Sequence, residues 1–287
     1  MRRRRSIRTS RSERTSRRER GTSIVEVLAA LGIAGITLAS VAQMFSMAAR
    51  QQKGMSYRVE MQQGLRGAID AIARDVRLAG ACLPTNGEFV ALTGTDQPAG
   101  DRITVRAGQV RNNTACVRAV TQVAAAAGES ALTVDTTNGF GAGMLVYLRN
   151  WNGSGQITSV TGAGGNVLSI ADGLAEAYPP GGTAYALDER VYELDVSDPA
   201  NPILMITIDR GAPQQFAAGI QDLQFVYTLN RNCPACDTVD LPPDMATWRL
   251  VNDVLITATA KTVGAVRTED QKTLVENTRA KPRNLLP

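Results

Sequence analysis

Residues 24–49 read IVEVLAALGIAGITLASVAQMFSMAA, and this stretch decides the architecture. After Glu26 no charged residue occurs until Arg50, an uncharged run of 23 residues. At ~1.5 Å rise per residue a helix of that length spans roughly 35 Å, enough to cross a hydrocarbon core of about 30 Å. The first proline of the chain is Pro84, so none interrupts the helix. The run is too long for the apolar region of an ordinary cleaved signal peptide. A single membrane-spanning helix is therefore expected over about residues 24–49.

The residues before it are of opposite character. Ten of the 31 Lys and Arg and two of the 27 Asp and Glu fall within residues 1–20, so that tract carries +8 and the remaining chain −4. Alone, such an Arg/Ser/Thr tract reads as a solvated tail or a nucleic-acid arm, because it has too little apolar surface to fold. Placed before a spanning helix, its arginines hold that end in the cytoplasm and send everything after residue 50 outward.

Glu26 is the anomaly. A carboxylate inside a spanning helix costs roughly 2.5–3.5 kcal/mol on insertion scales, so it calls for a partner or a task. The plainer alternative is a side chain snorkelling to the headgroups at a helix N-terminus, where the dipole favours negative charge.

Arg20-Gly21-Thr22-Ser23-Ile24-Val25-Glu26 resembles the cleavage and assembly signature of type IV prepilins and pseudopilins. The pattern is a basic leader, a Gly before the scissile bond, and Glu as the fifth residue after it. The resemblance implies that a prepilin peptidase cuts after Gly21 and methylates the new amine of Thr22. Glu26 would then pair with that amine on a neighbouring subunit as the helix enters a fibre. The first mature residue here is Thr22, where the family usually has Phe.

Beyond the apolar run, Met55, Val59, Leu65, Ile69, Ile72 and Val76 lie mostly three or four apart, which predicts an amphipathic continuation closed by Gly80. One helix is expected over 22–80, apolar on all sides in its first half. Residues 71–80 (AIARDVRLAG) resemble a stretch of PilW-type minor pilins and of the related J-type pseudopilins of type II secretion. Residues 218–227 (AGIQDLQFVY) and 248–261 show similar likenesses to those families.

After Gly80 the chain turns to short Val/Ile/Thr/Tyr runs between Gly, Asn, Asp and Pro turns. Strands are expected at 102–106, 116–122, 131–134, 144–148, 156–160, 167–170, 183–187, 190–196, 204–209, 221–229 and 249–262, paired antiparallel. The expected fold class is α+β and pilin-like: a long N-terminal helix packed on an antiparallel sheet. The divisions are a cleaved leader (1–21), the spine helix (22–80) and an exported β-rich domain (81–266). A β lobe inserted at about 125–187 and a loosely ordered polar tail (267–287) complete the layout.

All four cysteines lie on the exported side, where disulfides persist. Cys82–Cys116 would tie the helix end to an early strand, and Cys233–Cys236 would close a tight loop. Cys233-Pro-Ala-Cys236 can also be read as a redox pair, but Pro242 and Pro243 and the poor periodicity after it deny the helix that lowers such a thiol pKa. A four-Cys zinc site is the remaining reading. The segment 195–201 (DVSDPAN) has oxygen ligands enough for calcium and reads more simply as a turn.

The chain has no histidine, which excludes His-based triads and most catalytic zinc sites. The resemblance implies a structural protein without catalysis, cofactor, metal or nucleic-acid partner. It would be a PilW-like minor pilin held in the inner membrane after synthesis. With other minor pilins it would prime type IV pilus assembly beside the major pilin, and end at the extracellular fibre tip supporting a PilY-type adhesin. A J-type pseudopilin of a type II secretion system would use the same physics. A membrane-tethered periplasmic thiol oxidoreductase using Cys233 and Cys236 is the rival from another class.

Overall fold

Residues Ile24–Leu78 form one helix, α1, with Glu26 in its first turn and Arg77 in its last, both matched to the helix dipole. It stops at Gly80, which adopts φ +77°, a conformation nearly free only to glycine. The Gly80 N–H then donates to the Arg106 carbonyl at 2.9 Å, so the chain leaves the helix already bonded to a strand. The computed structural model describes residues 23–98, 100–111, 115–229, 237–261 and 272–282. The chain divides into two units, Met1–Lys53 and Gly54–Pro287.

In the first unit every described residue is exposed. In the second, the amphipathic part of α1 buries Leu65, Ala68, Ile69, Ile72, Ala73 and Val76. These recur at three- and four-residue steps, and burying each large aliphatic contributes about 1.5–3 kcal/mol. The buried stripe begins later than the periodicity suggests. Met55 and Val59 are 65% and 50% exposed, Met61 is the first to pack against the core, and full burial starts at Leu65.

The rest of this unit is antiparallel β structure. In chain order the strands are β1 (Leu92–Thr95), β2 (Arg102–Gly108), β3 (Val110–Arg111), β4 (Ala115–Cys116), β5 (Arg118–Val120) and β6 (Ala131–Thr133). Then come β7 (Leu145–Arg149), β8 (Gly155–Gly164), β9 (Val167–Ile170), β10 (Thr183–Asp195), β11 (Ile203–Ile208) and β12 (Gln214–Ala218). The chain ends with β13 (Ile220–Leu229), β14 (Thr238–Val239), the short helix α2 (Met245–Trp248), β15 (Val251–Lys261) and β16 (Thr273–Ala280).

One sheet runs β1-β2-β10-β7-β8-β9-β6, with β5 and β11 also on β10 and β12 on β11. A second sheet runs β14-β13-β15-β16, and β3 and β4 form a separate pair. The architecture is thus α+β, a long N-terminal helix with antiparallel sheets. The helix, β1, β2, β11, β13 and β15 enclose one apolar core, which includes Ile72, Ile103, Leu204, Phe225 and Ile256. A second core, from Val117 to Ala186, includes Leu132, Leu148, Leu168 and Tyr178. Its residues begin at Val117, before the 125–187 stretch read as an inserted lobe, and its strands belong to the same sheet as β1 and β2.

Strand β10 serves both cores, and the sequence reading divided it in two. Its first half pairs with β5 and β7 through Thr183–Leu187, and its second half with β2 and β11. The charged run Asp188-Glu189-Arg190 looks like a break, yet Glu189 is buried because Arg106 Nε (2.6 Å) and Arg210 Nε (3.2 Å) donate to its carboxylate.

The polar tail is corrected too. Within 267–287, Thr273–Ala280 is a strand paired with β15 over eight residues. It reads as polar because, among the described strands, β15 is its sole neighbour, and edge strands carry charge to discourage further pairing. The segment 195–201 forms the β10–β11 turn, with Ser197 and Ala200 N–H donating to the Asp195 and Asp198 carboxylates at 2.9 and 3.0 Å.

Asp101, beside β2, is buried. Its Oδ2 accepts from Phe225 N–H at 2.8 Å, while Oδ1 has no partner among the described residues. Burial pushes its pKa above the usual carboxylate range, against the Phe225 bond, which lowers it. With the folded pKa above the unfolded one, the proton favours the folded state. That stability is complete at low pH and is lost as pH rises through the folded pKa. Asp101→Asn removes this titration. Melting of both proteins at about pH 4 and about pH 8 should show wild type losing ground relative to the variant as pH rises.

Candidate functional site

The candidate site begins at the start of α1. Glu26 sits in the first turn, where unpaired backbone N–H groups and the dipole stabilise a carboxylate. Its own N–H donates to the Ser23 carbonyl at 2.9 Å, and its side chain is exposed with no ion-pair partner among the described residues. Gly21 and Thr22, the two residues of the expected cleavage, lie outside the described residues.

Behind Glu26 the helix exposes apolar side chains all round. Ile24, Val25, Leu28, Leu31, Ile33, Ile36, Leu38, Met44 and Phe45 are each more than 60% exposed. Soluble monomers rarely expose contiguous apolar patches beyond a few hundred Å². Such a surface needs lipid or other protein around it. By length and composition this helix can cross a membrane, and among the described residues it is the one that can.

The second unit holds its part of α1 by more than apolar contact, and here sequence reasoning missed the essential residues. Asp75, 5% exposed, points from the helix at β10. Arg190 Nη1 donates to both its oxygens at 3.0 Å, and the Tyr192 hydroxyl donates at 2.6 Å. Arg190 is also held by Asp188, with Nη2 to Oδ2 at 3.0 Å. Burial works to lower the Arg190 pKa, but the Asp188 and Asp75 carboxylates more than offset it and the guanidinium stays charged. The Tyr192 hydroxyl is pushed up, first by burial and then by its bond to the Asp75 carboxylate. Asp75 lies within the AIARDVRLAG stretch already singled out. A lone acid on the buried stripe of an amphipathic helix was the available signal.

The turn after the helix is fixed covalently as well. Gly108 N–H donates to the Ala81 carbonyl at 2.6 Å, and Cys82 and Cys116 form a disulfide. Cys233 and Cys236, expected to pair with each other, lie outside the described residues. The Cys82–Cys116 link closes a loop of sequence separation 34. On loop-closure grounds its loss costs about 2–4 kcal/mol. Cys116→Ser should therefore lower the stability of the folded unit by that amount in chemical denaturation, and added reductant should lower wild type by at least as much.

Among the described residues no group of three or more Cys, Asp or Glu is placed to hold a metal ion. The site comprises an apolar helix with one acid in its first turn, and a β domain that holds its own part of the same helix through Asp75 and the adjoining turn. No protein-family model matches the chain, and no curated protein matches it.

Proposed function

We propose that this chain is a pilin-like subunit, processed between Gly21 and Thr22, whose apolar helix first anchors it in the inner membrane and then packs into a fibre. The observation that carries this reading is the position of Glu26, five residues beyond Gly21 and in the first turn of an apolar helix exposed on every side. Cutting after Gly21 creates an ammonium at Thr22 with a free pKa of about 7.7–8.0. A carboxylate and an ammonium on adjacent subunits satisfy each other across an interface, whereas a mispaired subunit keeps an uncompensated charge. Glu26 thereby supplies register to a helix whose other contacts are non-directional.

The likeness of residues 71–80, 218–227 and 248–261 to PilW-type minor pilins supports a minor rather than a bulk subunit. On that reading its partners are the prepilin peptidase, other minor pilins, the major pilin and a PilY-type adhesin at the fibre tip. The same features serve a type II secretion pseudopilin, and a deletion strain separates the two by whether piliation or protein secretion fails. The direct test of processing is Gly21→Ala. The variant should accumulate at the precursor size in membranes, and a variant still converted to the mature size contradicts the proposal.

A further inference from the structure

The hairpin between β7 and β8 turns through residues 150–154 and carries Trp151 at its tip, 72% exposed. The chain's other tryptophan, Trp248, is buried against Tyr227. An indole left in water forgoes one of the largest burial gains open to any side chain.

The tip is not a loose loop. Asn150 N–H donates to the Ser154 carbonyl (2.8 Å), Gly153 N–H to the Asn150 carbonyl (3.1 Å), and Trp151 N–H to Asn150 Oδ1 (2.8 Å). Asn150 Nδ2 reaches the Ala177 carbonyl at 3.0 Å, Ser154 N–H donates to Asn152 Oδ1 at 3.0 Å, and the Ser154 hydroxyl donates to the Glu176 carboxylate. From the other side, Glu88 N–H donates to the Gly153 carbonyl at 2.9 Å. A Cβ on Gly87 would come within 2.6 Å of that same oxygen, so the two backbones meet where only glycine fits. The indole is held out on a preorganised support.

The side chains around the tip are polar and planar. Asn152 and Asn86 use their carbonyl oxygens within the protein, for Ser154 and for Arg149 Nη2 (3.0 Å), and their amide N–H groups have no partner among the described residues. Glu176 adds a half-buried carboxylate, anchored by Ser154. An aromatic anchor for a protein partner works inside a desolvated patch, ringed by contacts that exclude water. Residues 150 and 152–154 and the cross-loop Asn86 and Glu176 offer no such apolar ring.

From this we infer that Trp151, with Asn152, Asn86 and Glu176 about it, is a binding platform for a neutral oligosaccharide. The apolar C–H face of a pyranose stacks on the electron-rich indole face, and its hydroxyls meet amide donors and a carboxylate acceptor, the mix that fixes a sugar's orientation. The site holds one charge of each sign, the Glu176 carboxylate and the Arg149 guanidinium on Asn86, a balance that matches a neutral sugar.

The experiment titrates the full chain, kept in a detergent without a sugar headgroup, with cellotetraose and with chitotetraose. Trp151 emits from water and Trp248 from the core, so the two signals separate. At least one saccharide should shift the Trp151 emission to shorter wavelength in a saturable way. Calorimetry should show binding at least about tenfold weaker in Trp151→Ala and partly kept in Trp151→Phe. Asn152→Asp, which keeps the oxygen that Ser154 bonds and removes the amide donor, should also weaken binding while leaving the melting temperature unchanged. Unchanged emission with both saccharides up to about 10 mM overturns the inference. So does equal binding by Trp151→Ala, or an emission shift that appears only when a protein is added.

Discussion

Asp75→Ala should lower the stability of the folded unit Gly54–Pro287 by about 3–5 kcal/mol, the usual cost of breaking a buried ion pair from one side. The carboxylate is 5% exposed and takes bonds from Arg190 and from the Tyr192 hydroxyl, which is itself buried. Removing it leaves the hydroxyl without an acceptor and Arg190 with Asp188 alone. Arg190 is 31% exposed at its side chain, so water compensates it in part, and the lower end of the range is expected. Asp75→Asn keeps an acceptor for Tyr192 but offers Arg190 a neutral partner, and should fall between. Tyr192→Phe made in the Asp75→Ala background should cost little more, because the two act as one unit. Urea titration of the four proteins gives these energies. A loss under about 1 kcal/mol for Asp75→Ala would show that apolar packing alone seats this part of the helix.

Glu26→Ala should abolish fibre incorporation while leaving processing and membrane insertion intact. Insertion should become easier, since the acid costs roughly 2.5–3.5 kcal/mol in the bilayer. In the fibre the variant leaves a neighbouring ammonium buried and unpaired, at about 3–5 kcal/mol, equivalent to a drop in incorporation of at least about a hundredfold. Quantifying the subunit in sheared fibres against the membrane fraction measures this. The mature size should be unchanged, which separates the loss from that of Gly21→Ala, where the precursor persists. Fibres containing the variant at wild-type levels would assign Glu26 to the headgroup region and leave it no part in assembly.

The parts of the molecule legible in its sequence are those fixed by local pattern. The uncharged run after Glu26, the three- and four-residue spacing from Leu65 to Val76, and Gly80 as the stop all follow from helix geometry, and α1 runs Ile24–Leu78 within the expected 22–80. The Cys82–Cys116 bridge was legible too, as the link between the helix end and an early strand. What stayed hidden depends on partners distant in the chain. Asp188-Glu189-Arg190 looks like a break in a strand until Arg106, 83 residues from Glu189, and Asp75, 115 residues from Arg190, neutralise it. Strand β16 was hidden for the opposite reason, because an edge position selects the polar residues that make a segment look like a tail. Met55 and Val59 fit the helical stripe and still face water, since periodicity gives the face of a helix but not how far along it the core extends. Trp151 carried no pattern at all. Its meaning comes from bonds within the tip and from segments near Glu88 and Glu176.

The central claim, that the apolar helix is an assembly element released by a cut before Thr22, has a direct measurement. The intact mass and N-terminal sequence of the chain, purified from membranes of cells that express it with its own assembly machinery, report where the mature protein begins. A chain beginning at N-methylated Thr22, with Glu26 as its fifth residue, is the predicted result. A chain that retains residues 1–21, or one cut at any other bond, contradicts the account.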